Sequence, residues 1–185
     1  PYMKNLNEWM SQTQVRPANE RPDEPGERTE LDQHIGAWRQ KYHANYTGST
    51  YGYMAAAGMV CVMGMILADE AGVDINRTTY ERGLTHFRKG RAEHAFVLYG
   101  FGSLRRTQPN PVDPDAEANG MLWSMNGKLG TAAALFKLVD DNQPAGICSR
   151  FCTYCYNNTR HGHGGMFFNN YWTPIGAHVA GEKGF

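Results

Sequence analysis

GYMAAAGMVCVMGMILADE, residues 52–70, is the stretch on which the fold turns. From Met54 to Ala68 it carries no charge. Asp69 and Glu70 close it short of the roughly 20 apolar residues that span a bilayer. It therefore reads as a buried helix from about Tyr53 to Ala71, apolar on every side. Gly72 follows where a left-handed residue ends such a helix. The alanines and glycines within the run leave room for another helix to approach closely.

Outward from this helix the pattern stays helical. Upstream, TELDQHIGAWRQKYH (29–43) opens on Thr29 as an N-cap and sets Leu31, Ile35, Trp38 and Tyr42 at helical spacing. Before it, the amphipathic piece YMKNLNEWM leads into RPANERPDEPGER, whose prolines and charges predict an extended arm over residues 1–30. Downstream, DINRTTYERGLTHFRKG turns Tyr80, Leu84 and Phe87 to one side. AFVLYGFGSLRRTQPNPVDPDAEANG (95–120) predicts a long loop with a short strand at 95–99. Helical patterning returns in GMLWSMNGKLGTAAALFKLVDD, firmest at 132–139, then in AGICSRFCTYCYNN, then around 172–180. No parallel βαβ pattern interrupts it. The expectation is a mainly α fold, with a helical domain over 31–185 built of antiparallel helical hairpins and long glycine- and proline-rich loops.

Composition bounds the function. A chain of 185 residues with 41% hydrophobic and 19% charged residues suits one globular domain. Eighteen basic residues balance eighteen acidic ones, so no overall field draws it to nucleic acid or an anionic membrane, and no run predicts a membrane span.

CSRFCTYC, residues 148–155, carries the most specific chemistry. Its C-x3-C-x2-C spelling is that of the iron–sulfur loop of radical S-adenosylmethionine enzymes. That loop follows the first strand of a barrel, whereas here helical sequence precedes Cys148 and only 30 residues follow Cys155. Spacings of four and seven instead place Cys148, Cys152 and Cys155 on one stripe of a helix, where cysteine packs as a small hydrophobe. A third reading draws Cys152 and Cys155 together with His161 and His163 into a zinc site, thiolate and imidazole being zinc's usual ligands.

Other clusters add candidates. HGHGG offers His161 and His163 as general bases near neutral pH, or serves as a tight turn before the last helix. DPDAE brings three carboxylates together, or is a solvated loop leading to a helix. In MNGKLG, Asn126 and Lys128 sit at a helix start, where backbone N–H groups can hold an anion. Tyr53, Trp123, Asn169 and Trp172, with further aromatic residues near the glycine-rich corners, are candidates for lining a pocket for a sugar or an apolar ligand.

Three blocks, YGYMAAAGMVCVMGMILADEAGV, NGKLGTAAALFKLV and HGHGGMFFNNYWTPIGAHVAGEKGF, resemble the C-terminal part of a family of bacterial proteins common in planctomycetes. The helical domain of that family is similar to the α/α-toroids of terpenoid cyclases and prenyltransferases. The resemblance covers residues 45–185 and rests on N-G-x-x-G at 126–130 and H-x-G-x-F-F-N-x-x-W-x-x-x-G at 163–176. It implies part of an α/α-toroid and no particular reaction. Asp140 and Asp141 match neither acidic cluster of terpenoid cyclases, which disfavours polyprene chemistry. At about 12 residues per helix plus loops, the length supplies half a ring, to be completed by the rest of a larger chain or by another protomer. Two functions follow as expectations. The first is a cofactor-free binding or scaffold module of a larger bacterial protein, of the cell envelope or secreted, taking carbohydrate or peptide. The alternative is a zinc-dependent toroid enzyme using the Cys/His cluster, similar in its ligands to the lanthionine cyclases that share the architecture.

Overall fold

The computed structural model describes residues 2–14, 36, 38, 55–89, 126–154, 165–179 and 181. They are mainly helical. In chain order the helices are α1 (Tyr2–Thr13), α2 (Ala55–Glu70), α3 (Arg77–Lys89), α4 (Asn126–Leu138), α5 (Asn142–Tyr154) and α6 (Gly165–His178). Among the described residues the only β pairing is an isolated antiparallel bridge between Gln14 and Trp38. The helices divide between two compact units, α1–α3 in the first and α4–α6 in the second. None of them is long and apolar enough to cross a membrane. The predicted strand at 95–99 and the 100–120 loop lie outside the described residues.

In the first unit, α2 ends where the sequence places its stop. Gly72 adopts φ +76°. Its N–H donates to the Asp69 carbonyl (2.9 Å), and the Val73 N–H to that of Ala68 (2.9 Å). These two bonds satisfy carbonyls that the helix leaves unpaired at its end. Four residues later Asn76 caps α3, its Oδ1 accepting the Thr79 N–H at 3.0 Å. Arg77 pairs with Asp69 across the turn.

The burial of α2 differs from expectation in one respect. Met59, Val62 and Met65 are fully buried, but Val60 and Leu67 are 41% and 53% exposed. Ala57 and Gly64 join them on the same helical stripe. An all-apolar sequence has no charged face to report such a stripe, so the pattern alone could not separate it from the core.

Trp38 is buried, as its spacing predicts, but not on a continuous helix. Gly36, two residues earlier, has φ +92°, and a Cβ there would strike the Arg82 carbonyl. The Trp38 ring instead fills a slot beside Gly83 of α3, where an added Cβ would lie 2.6 Å from it. Its Nε1 donates to the Met10 carbonyl of α1 (3.0 Å). The opening residues, within the segment expected to be an extended arm, form α1. Asn7 donates to the Asp74 carbonyl and accepts from the Asn76 N–H, both at 3.2 Å, and buried Gln14 donates to the Thr79 carbonyl at 2.8 Å.

In the second unit α4 is central. Leu129, Ala132, Ala133, Leu135 and Phe136 are all without exposed surface. Its end repeats the device at Gly72 with a different residue: Asp140 adopts φ 55°, and the Asp141 N–H donates to the Phe136 carbonyl at 2.8 Å. Asp140 thus serves the turn into α5.

Candidate functional site

The sequence candidates that fall among the described residues converge on the crossing of α4, α5 and α6. Gly130 of α4 lies directly on the backbone of α6: a Cβ there would strike the Trp172 carbonyl oxygen and lie 2.5 Å from its carbon. A Cβ on Gly176 would strike Gly130 and approach the Cys152 Sγ at 2.7 Å. Glycine is therefore required at both positions for the two helices to touch backbone to backbone.

That closeness lets neighbouring helices cap one another. Asn169 of α6, fully buried, accepts the Gly127 N–H through Oδ1 at 3.0 Å. Gly127 is in the first turn of α4, whose N–H groups have no partner within the helix. At the other end of α6, Ser149 of α5 donates to the Gly176 carbonyl at 2.5 Å. Pro174 inside α6 has no N–H to give the carbonyl one turn back.

Lys128, beside Gly127, is only 4% exposed. Burial penalises its ammonium form and lowers its pKa from the ordinary 10.5 to about 7. The Asn169 Nδ2 and the Thr173 hydroxyl are also buried and have no hydrogen-bond partner among the described residues.

Cys148 and Cys152 are fully buried on one face of α5, so these two thiols are packed as the stripe reading expects. Burial also pushes the Cys61 thiol of α2 up to about 11. Cys155, His161, His163, Tyr53 and Trp123 lie outside the described residues, as does the Asn126 side chain. Among the described residues no group of three or more His, Cys, Asp or Glu side chains is arranged to hold a metal.

The outer side of α6 carries a second apolar stripe, Phe167, Tyr171 and Ile175, 90%, 63% and 37% exposed. Trp172, half-buried beside it, meets Tyr171 edge to face at 5.1 Å and Phe168 at 6.4 Å. The sequence candidates Asn169 and Trp172 thus share α6 but take different roles, Asn169 facing α4 and Trp172 flanking the exposed rings. The roles of Gly130 and Gly176 were missed, because a glycine's neighbour across a helix crossing leaves no local signal.

Compared with known proteins, residues 23–184 match the profile of a family described as a domain of unknown function (DUF6288). No curated protein and no solved structure matches the chain.

Proposed function

The chain belongs to the DUF6288 family, and from its geometry we propose that it is a helical scaffold or binding module that presents apolar helix faces to a further helix. The observation that carries this is the exposed stripe of α2. Val60 and Leu67 face water on a helix with no charge from Met54 to Ala68, and covering such surface returns about 25 cal/mol per Å². Ala57 and Gly64, exposed on the same stripe, are small residues of the kind that permit close helix packing. The occupant is a helix from the rest of a larger chain or from a second copy, as completion of an α/α-toroid would supply. We place this larger chain in a bacterial protein on the sequence resemblance, and in the cell envelope or a secreted protein as part of the proposal.

Two measurements test it: sedimentation velocity across a concentration series, and selection of displayed helical peptides, each with wild type and with Val60→Lys/Leu67→Lys. The proposal expects self-association or enrichment of amphipathic peptides that the double variant loses. A wild-type monomer that enriches no peptide contradicts it.

The aromatic stripe of α6 favours a second reading, carbohydrate binding. Phe167 offers ring faces for stacking, and exposed Asn170 adjoins them. A glycan array probed with wild type and Tyr171→Ala decides it: binding lost in the variant supports the reading, and no binding by wild type removes it.

A further inference from the structure

The exposed residues of α2 alternate in size. Ala57, Val60, Gly64 and Leu67 follow one another at intervals of three, four and three, the spacing that keeps one stripe of a helix turned to a single neighbour. The stripe lies away from α3. Residues two apart fall on nearly opposite sides of a helix, and Gly58 and Val62, two residues from stripe positions, face α3: a Cβ on Gly58 would lie 2.7 Å from the Phe87 ring, and one on Gly83 2.8 Å from the Val62 side chain. At Gly64 an added Cβ meets nothing within 4 Å.

The order of sizes reverses about the centre of the stripe. Val62 stands midway between Ala57 and Leu67 and between Val60 and Gly64. A two-fold axis level with Val62 would set each large side chain on a small one, Leu67 against Ala57 and Val60 against Gly64. A parallel pair would stack like on like and leave the small positions without contacts. Charge favours the antiparallel choice as well. Asp69 and Glu70 stand in the last turn of α2, where its own dipole disfavours them. Asp69 and Ala55 are also equidistant from Val62, so the same axis brings the acidic end to the partner helix's N-terminus, where negative charge is favoured.

Resting on the docking reading of α2, we propose that the occupant of its stripe is the same stripe of a second copy, packed antiparallel about this axis. Such an isologous contact closes on itself as a dimer. One helix pair buries less than the about 1,200 Å² of a standard interface, so the dimer is weak and set by concentration.

Sedimentation velocity of the full chain over a concentration series reads the dimer, with Gly64→Leu as the deciding variant. It adds apolar surface where the single chain has open space, so an indiscriminately adhesive face would associate more strongly. Set against Val60 of the second copy it overpacks, and self-association is expected to weaken about tenfold or more. Orientation is read by disulfide trapping in an equimolar mixture of Ala57→Cys and Leu67→Cys chains, mapped by mass spectrometry. Bridges joining position 57 of one copy to position 67 of the other are expected, and none between like positions. Undiminished association of Gly64→Leu, or bridges between like positions, overturns the proposal. So does a wild type that stays monomeric throughout the series. If that monomer still enriches helical peptides that Val60→Lys/Leu67→Lys loses, the docking reading stands without the dimer, and if it enriches none, both fall.

Discussion

The backbone contact between α4 and α6 makes a sharp prediction about two glycines of the same unit. In Gly130→Ala the new methyl strikes the Trp172 carbonyl, with the Thr173 nitrogen 3.1 Å away. These are backbone atoms that no rotamer change can move, so the helices must separate. Overpacking of this kind costs about 1–3 kcal/mol, toward the upper end where backbone must shift. Alanine returns up to about 1 kcal/mol in helix propensity, leaving a net loss of about 2 kcal/mol. Gly146 of α5 meets nothing within 4 Å of an added Cβ, so Gly146→Ala keeps the propensity gain of about 0.5–1 kcal/mol. Native-state amide exchange of α4–α6 reads the second unit by itself. Protection in that unit should fall roughly 30-fold in Gly130→Ala and rise severalfold in Gly146→Ala. If both substitutions change protection in the same direction, the close crossing is wrong, and with it the placement of Asn169 on Gly127.

Other consequences are as direct. Because the folded-state pKa of Lys128 lies below its ordinary value, the unfolded chain binds more protons between about pH 7 and 10.5, and stability rises with pH in that window. The full penalty, present below about pH 7, is on the order of 5 kcal/mol at about 1.4 kcal/mol per pH unit. Urea denaturation between pH 7 and 8.5, in buffer without phosphate or carboxylate, stays below the titration of Cys61 and should show a positive slope that Lys128→Met removes. Asp140→Gly places a glycine at φ 55° and should stabilise α4 by about 0.5–1 kcal/mol, seen as a higher urea midpoint. Asn76→Ala removes the cap on Thr79 and should cost about 1 kcal/mol, read as faster exchange in the first turn of α3. Elemental analysis of the purified chain bears on the zinc alternative: one zinc per chain would support it and direct attention to Cys155, His161 and His163, and a metal-free folded chain would remove it.

Legibility in the sequence followed the range of the forces involved. Gly72 was readable as the stop of α2, and Leu84 and Phe87 as core, because a left-handed cap and an amphipathic period are local. The start of α6 was not. The expected helix lay around 172–180, whereas the helix starts at Gly165, runs to His178 and carries Pro174 inside. Trp38 was rightly assigned to the core for an incomplete reason: its slot exists because Gly58 and Gly83 leave space, and Gly36 breaks the helix that its spacing suggested. At the candidate site Asn169 was named as a pocket residue. Its bond to Gly127, 42 residues away in sequence, depends on a helix crossing set by Gly130 and Gly176; both glycines stand in the motifs, but the crossing that brings them together is not local.

The central claim is that the exposed stripe of α2 is a docking surface for another helix. Methyl NMR of the full chain tests it most directly, with Val60 and Leu67 followed as the chain is concentrated and as an amphipathic helical peptide is added. The account predicts shifts or broadening at both residues, with buried Val62 and Met65 changing least. Unperturbed Val60 and Leu67 under both titrations, or changes confined to other helices, would contradict it.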